Sequence, residues 1–325
     1  MKLFSLYCNQ IPDFILEFAS APEMQRLKSI GMNCGCEYTS FPRFRSIESY
    51  SRYDHSVGTA LIVWNFTHCI EQSLAALFHD ISTPVFAHVI DFLNGDYLKQ
   101  ESTEERTGQI IRNSEFLSET LCRYGIEQEK VCDYHRYPAA DLPSPQLCAD
   151  RLEYTIGNML NYGFRTKNDA KLFYSDITLA VNEKGENELC FCSPDTAVAF
   201  AKTALLCSKV YVSDEDRYSM QILSEIIAKG LSAGILSDGD LYKTEPECIE
   251  KLCSDLVTEK MWKSYQAMSI IRCGDGSSAR IIRAKKRFIN PYVTGIGRTT
   301  QISQSYSENL KEYRSKTFDY PIYGE

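Results

Sequence analysis

Segments with helical character fill most of the first 165 residues of this 325-residue chain. In the last of them, Leu147, Leu152 and Ile156 recur at spacings close to one helical face, and Ser144-Pro145 predicts an N-cap followed by a first-turn proline. The sequence therefore predicts a mainly α fold with a helical core. The predicted helices are IPDFILEFAS, APEMQRLKSIG, the run from His55 to Gln72, SLAALFHD, TEERTGQIIRN and SPQLCADRLEYTIGNML.

Residues 176–192 interrupt this helical pattern. Two short β-prone runs flank the sequence NEKGEN, in which Asn182, Gly185 and Asn187 are residues that favour turns. We therefore predict a β-hairpin inserted between helices. Helical periodicity resumes near Pro194 and continues to about residue 233.

A boundary is predicted at SDGD, residues 237–240, where turn residues and charges cluster. We expect a helical core over residues 1–235 and a smaller C-terminal lobe over residues 236–325. The lobe contains two further predicted helices, the basic and strand-like stretch ARIIRAKKRFINPYVTG, and a polar tail. The basic residues of that stretch form either a solvated face or a contact for a phosphate or a regulator.

The bulk composition narrows the classes of function. Hydrophobic residues make up 44% and charged residues 24%, which is typical of folded globular chains. The net charge of −8 argues against a nucleic-acid-binding protein, although a local basic pocket could bind a phosphorylated small molecule. No segment reaches the roughly 18 consecutive apolar residues of a membrane helix, so we expect a cytoplasmic protein without a membrane partner. A homo-oligomer stays open at this stage. Thirteen cysteines without a CxxC pair argue against a zinc ribbon.

Histidines are few and clustered. Four of the five lie within one short segment, namely His55, His68, His79 and His88. Imidazole nitrogen and carboxylate oxygen are the ligands that many divalent cations prefer. Because consecutive helical residues point about 100° apart, His79 and Asp80 can share an ion only where helices converge. Each of these residues alone also has an ordinary explanation, as a helix-end residue or a surface charge.

Several short motifs follow one another in an informative order. An AP-x-x-QRL segment at residues 21–27 precedes Phe41-Pro42, then RYDHSVG at residues 52–58, His79-Asp80, and DRLEY at residues 150–154. In this order the motifs resemble the HD-domain phosphohydrolases of the deoxynucleoside triphosphate triphosphohydrolase type, over about residues 11–235. The resemblance implies an HD-domain helical core and one divalent ion, either a transition metal or Mg²⁺. Its implied ligands are His55, His79, Asp80 and Asp150.

The resemblance also implies residues that bind the substrate. Arg52 matches the family's arginine and is expected to clamp a phosphate, a role that suits a planar guanidinium. Tyr154 is the tyrosine of the family's DxxxY helix. Asn158 falls near an aspartate that contacts a sugar hydroxyl in the family. We therefore expect Arg52, Tyr154 and Asn158 to face the substrate.

The chain departs from the family at two histidines that serve acid chemistry. Thr83 and Thr103 occupy their positions. The remaining candidates for proton transfer are His88, Asp91 and Glu104, among which geometry must choose.

These residues predict a metal-dependent phosphohydrolase. The expected substrate is a nucleotide or a related phosphoester or phosphoanhydride, attacked by water that the metal activates. The alternative is a catalytically reduced HD-domain protein that binds a nucleotide as a sensor. Retention of all four implied ligands beside the loss of two histidines favours the enzyme, because general decay would not spare the ligands selectively.

Overall fold

The computed structural model describes residues 3–95, 106–276 and 278–325, so Thr103 and Glu104 lie outside the described residues. Helices dominate the described residues, and the predicted mainly α fold is confirmed. None of these helices is both long enough and apolar enough to cross a membrane. The helices are α1 (Phe4–Tyr7), α2 (Asp13–Ala19), α3 (Pro22–Arg26), α4 (Pro42–Arg45), α5 (Arg52–Thr67), α6 (Ile70–Phe78), α7 (Val89–Leu93), α8 (Thr107–Asn113), α9 (Glu115–Arg123), α10 (Ala149–Asn161), α11 (Lys167–Ser175), α12 (Pro194–Val210), α13 (Asp214–Ser232), α14 (Glu245–Leu252), α15 (Leu256–Ala267), α16 (Thr299–Ile302) and α17 (Gln304–Ser315).

The single helix predicted from His55 to Gln72 is interrupted in the structure. Helix α5 ends at Thr67, and α6 begins at Ile70. Ser51 caps the start of α5 by accepting a hydrogen bond from the backbone N–H of Asp54 at 3.1 Å. His68 takes a left-handed conformation with φ of 50° and ends α5. Helix α6 ends at Phe78, so His79 and Asp80 lie just beyond its last turn.

Helix α10 packs against α5 and begins later than its sequence predicts. The predicted cap at Ser144-Pro145 is wrong, because these residues form a cis peptide in the preceding loop and Cys148 is the N-cap. Asp150 consequently lies in the first turn of α10, close to α5.

The predicted hairpin is confirmed as β1 (Ile177–Val181) and β2 (Asn187–Phe191), which pair antiparallel. Its turn is stabilised by the Asn182 side-chain oxygen, which accepts hydrogen bonds from the N–H groups of Lys184 and Glu186 at 2.8 and 3.1 Å. Further short strands lie in the C-terminal region of the described residues. They are β3 (Ile271–Cys273), β4 (Arg280–Ile281), β5 (Tyr292–Val293), β6 (Gly297–Arg298) and β7 (Pro321–Gly324), arranged as the sheets β1-β2-β5-β6 and β3-β7-β4.

Residues 236–325 pack closely on the preceding chain. The N–H of Val85 donates to the carbonyl of Leu241 at 2.8 Å, and strand β5 pairs with the hairpin strand β2. The predicted polar tail contains helices α16 and α17, which pack on α12. The division at residue 235 stays a prediction.

Candidate metal centre

The imidazole rings of His55, in the first turn of α5, and His79, just after the end of α6, meet each other. Their Nε2 atoms are 3.1 Å apart, and both side chains are buried. His55 Nδ1 lies 2.6 Å from Glu153 Oε2, and His79 Nδ1 lies 2.7 Å from the carbonyl oxygen of Ala76. When each Nδ1 carries the proton that these acceptors require, both Nε2 lone pairs point into one gap. Two facing lone pairs at this distance favour a cation between them.

Two carboxylates complete the edge of this gap. Asp80 Oδ2 lies 3.5 Å from His79 Nε2 and 3.9 Å from His55 Nε2. Asp150 Oδ1 lies 3.0 Å from His55 Nε2 and 3.8 Å from His79 Nε2. Ligand atoms about 2.1 Å from one ion are about 3.0 to 3.4 Å apart at tetrahedral or octahedral angles. Donor atoms of His55, His79 and Asp80 lie within 4.8 Å of one another and could hold a divalent cation, and Asp150 adjoins them through its 3.0 Å contact with His55.

Asp80 is oriented by its own neighbours. Thr83 donates its hydroxyl to Asp80 Oδ1 at 2.8 Å, and Arg52 Nη1 lies 3.0 Å from Asp80 Oδ2. Burial alone would raise the pKa of the Asp80 carboxyl, but Arg52 and the neighbouring histidines hold that pKa far below its usual range. Thr83 thus binds the carboxylate, and Asp80 stays ionised.

Glu153 is a buried part of the site that the sequence analysis did not identify. Besides contacting His55, it accepts hydrogen bonds from the hydroxyls of Tyr50 and Tyr7, the latter at 3.3 Å. A Cβ atom added at Gly58 would lie 2.6 Å from Glu153 Oε1, so the glycine of RYDHSVG makes room for this carboxylate. The sequence DRLEY did contain a signal for Glu153, because an acidic residue three positions after Asp150 lies on the same face of a helix.

The Glu153 carboxylate also makes His55 more basic. Burial would lower the pKa of His55, but hydrogen bonds with Asp150 and Glu153 outweigh burial and raise this pKa to about 10. The centre therefore attracts positive charge strongly.

We expect Glu153→Gln to weaken divalent-metal binding by about 10- to 100-fold, because loss of a carboxylate behind a ligating histidine reduces ligand basicity and orientation. Isothermal titration of the metal-stripped protein with Mn²⁺ measures the effect. Glu71→Gln is a matched control, since Glu71 forms a partly exposed ion pair with Lys130 at 2.9 Å. Equal metal affinities for the two variants would exclude a supporting role for Glu153.

A cavity of about 700 Å³ opens onto the four implied ligands, and the predicted substrate-binding residues Arg52, Tyr154 and Asn158 line it. The Tyr154 ring centroid is 6.4 Å from that of His55. Asn158 is 4% exposed and donates its amide to the Tyr211 hydroxyl at 2.8 Å. Its Oδ1 atom has no hydrogen-bond partner among the described residues, so it can accept a hydrogen bond from a ligand.

His88 lines this cavity and pairs with the fully buried Asp91. His88 Nδ1 lies 2.9 Å from Asp91 Oδ2, and His88 Nε2 lies 3.3 Å from an Nη atom of Arg287. Burial lowers the pKa of His88 to about 4, so the ring is neutral near pH 7. Both ring nitrogens are therefore engaged. The roles of His88 and Asp91 in proton transfer remain predictions, and Glu104 lies outside the described residues.

A second group of possible ligands adjoins the first. The donor atoms of Asp141, Cys148 and Asp150 lie within 4.8 Å of one another. The Arg151 guanidinium contacts Asp141 at 3.2 Å and the Cys148 sulfur at 3.1 Å. The Arg151 guanidinium already compensates the negative charge of this second group. The geometry therefore favours a single metal ion, at the His55 centre, rather than one ion at each group.

Known proteins provide limited but consistent comparisons. No family model matches the chain. The chain is 26% identical over 250 residues to the uncharacterized protein YdhJ of Bacillus subtilis, covering 76% of this chain and 73% of that protein. It is also 26% identical over 237 residues to the metal-dependent phosphohydrolase cns2 of Cordyceps militaris, covering 70% of this chain and 65% of that protein. The crystal structure of a hypothetical protein from Aquifex aeolicus superposes with a TM-score of 0.63 over 97% of this chain and 93% of that one, at 15% identity. The last similarity establishes a shared overall fold.

Proposed function

We propose that this chain is an HD-type metal-dependent phosphohydrolase that acts on a nucleotide or a related phosphorylated small molecule. The observation that carries the proposal is that His55 and His79 lie 3.1 Å apart at Nε2 and that Asp80 and Asp150 each lie within 3.9 Å of both Nε2 atoms. The similarity to a protein named as a metal-dependent phosphohydrolase supports the same class. The cavity beside these residues is large enough for a small phosphorylated substrate.

A divalent ion held by these four residues would lower the pKa of a water molecule and neutralise charge on phosphoryl oxygens. The protein's own residues supply the rest. Glu153 and the carbonyl of Ala76 fix the two imidazole tautomers, so that both Nε2 atoms face the centre. Arg52 lines the cavity beside Asp80 and would bind a phosphoryl oxygen through its remaining N–H donors. Asn158 Oδ1 would accept a hydrogen bond from the alcohol part of the substrate.

Metal analysis followed by a phosphate-release screen tests the proposed activity. The purified protein is analysed for bound elements and then assayed on nucleotides and other phosphate esters with Mn²⁺, Mg²⁺, Fe²⁺, Co²⁺ or Ni²⁺. We expect one ion per chain and metal-dependent release of orthophosphate from at least one substrate. Bound metal and bound nucleotide without turnover would instead support the sensor alternative.

We expect weak or absent triphosphohydrolase activity on deoxynucleoside triphosphates. Thr83 donates to Asp80, and neither it nor Thr103 can act as an acid near neutral pH. A positioned acid or base contributes about 10²- to 10⁴-fold to rate, so its loss lowers triphosphate release by that order. Ion chromatography distinguishes inorganic triphosphate from orthophosphate. Rapid release of triphosphate would show that another residue supplies the proton.

A further inference from the structure

The basic stretch of the C-terminal region contributes side chains to the same cavity. Ala284, Lys285 and Arg287 line it, although they follow the metal-centre residues by more than 130 positions. The two cations therefore do not belong to a uniformly solvated face. They bring positive charge to a cavity in which Arg52 already pairs with Asp80.

The backbone of this stretch is anchored on both sides. The Tyr313 hydroxyl donates to the carbonyl of Arg287 at 3.2 Å, and the Tyr306 hydroxyl donates to that of Ile289. The N–H of Asn290 donates to the carbonyl of Pro145 at 2.9 Å. Helix α17 and the loop before α10 thus hold residues 287–290 against the cavity.

Neighbouring cations on this stretch have different surroundings. Arg287 and Lys285 line the cavity, whereas the Lys286 ammonium donates to the backbone carbonyl of Arg314 and lies 5.7 Å from the Phe318 ring centroid. Lys286 thus contacts residues of the C-terminal region and is not among the residues that line the cavity. Lys286 is therefore a natural internal control for any role of its neighbours.

The His88–Asp91 pair orients the Arg287 guanidinium. The Asp91 carboxylate, which is 0% exposed, accepts from His88 Nδ1, and His88 Nε2 then accepts from Arg287. A neutral imidazole is the form that can make both contacts, and the lowered pKa of His88 agrees with it. A guanidinium has five N–H donors in a fixed plane, so one contact to His88 sets the direction of the others.

We propose that Lys285 and Arg287 form a phosphate-binding site on the C-terminal side of the cavity, and that His88 and Asp91 are positioning residues for Arg287. The site takes a phosphoryl group, whether it belongs to an ester substrate or is free orthophosphate. A role for this site in catalysis rests on the proposed phosphohydrolase function. Binding of free orthophosphate depends only on these side chains and the cavity.

Isothermal titration of the full-length, metal-stripped protein with inorganic phosphate tests the site. Wild-type protein is expected to bind phosphate, Arg287→Ala to bind it about 10- to 100-fold more weakly, and Lys286→Ala to bind it like the wild type. Arg287→Gln, which keeps a donor toward His88, is expected to lose affinity as Arg287→Ala does while preserving the fold. No detectable binding by wild-type protein at millimolar phosphate, or equal affinity in both Arg287 variants and wild type, would overturn the proposal.

The positioning role is tested by a double-mutant cycle. His88→Ala should weaken phosphate binding in the wild-type background and should add little when Arg287 is already alanine, because it acts through Arg287. Additive losses would overturn the positioning role. The protein could bind phosphate through Arg287 and yet hydrolyse no phosphate ester with any metal. In that case the phosphate-binding site would stand and the proposed hydrolase function would be wrong.

Discussion

Asp80→Ala is expected to remove the bound metal and nearly all phosphohydrolase activity. Asp80 contributes a carboxylate oxygen 3.5 Å from His79 Nε2, and Asp150 is the only other carboxylate among the four implied ligands, at 3.8 Å from the same atom. Charge stabilisation by a metal is worth several kcal/mol. At 1.36 kcal/mol per tenfold change in rate, its loss corresponds to about 10³-fold or more in kcat. Elemental analysis and steady-state kinetics of the same preparation measure both effects.

Asp319→Ala is a suitable control for the Asp80 variant. Asp319 is exposed and forms an ion pair with Arg283 at 3.2 Å, and neither residue lines the cavity. It should retain metal and activity. If Asp80→Ala kept one ion per chain with wild-type affinity, the four-residue centre would be wrong, and the ion would have to lie elsewhere in the chain.

The sequence predicted the main elements of the fold but misplaced two of their ends. Periodicity identifies the helical segments, yet it continues through His68, where a left-handed residue separates α5 from α6. Likewise, Ser144-Pro145 satisfies the local preference for a helix start, whereas tertiary contacts place the start at Ala149. Local preferences are weak compared with packing, so boundaries were the least predictable part of the fold.

The candidate site shows a similar division between local and long-range information. The residues of short motifs, such as His79 and Asp80, were predicted because the motifs lie close together in sequence and resemble a known family. Glu153 was not predicted, and for the stretch with Arg287 a solvated face and a phosphate contact both stayed open, since these roles depend on contacts with residues about 100 and 199 positions away. A buried carboxylate on a helix is a recognisable signal, but its partner is visible only in three dimensions.

Arg52 illustrates how a contact can change an expected role. The resemblance implies a phosphate clamp, and Arg52 does line the cavity, but its Nη1 atom also pairs with Asp80. Its Nε atom is buried without a hydrogen-bond partner among the described residues. The side chain thus pairs with Asp80, and its role as a phosphate clamp stays a prediction.

Arg52→Ala is expected to lower kcat/KM by about 10²-fold, through loss of a charged contact to phosphate. It should also destabilise the metal-free protein by about 3 to 5 kcal/mol, because Asp80 would remain buried without its cationic partner. A bound divalent ion compensates the same carboxylate, so added metal should stabilise the variant more than it stabilises the wild type. Chemical unfolding with and without metal, together with kinetics on the substrate found in the screen, measures these quantities.

Arg112→Ala is the matched control for this variant, since Arg112 forms an exposed ion pair with Glu129 at 3.2 Å and exposed pairs contribute little. Unchanged kcat/KM in Arg52→Ala would reject the clamp. If the metal-free variant were as stable as the metal-free wild type, the ion pair between Arg52 and Asp80 would not contribute to stability. We expect Arg52→Ala to lose both kcat/KM and metal-free stability, and we expect added metal to restore the stability but not the turnover. This outcome would mean that Arg52 compensates the charge of Asp80 in the metal-free protein and holds the substrate phosphate once an ion is bound.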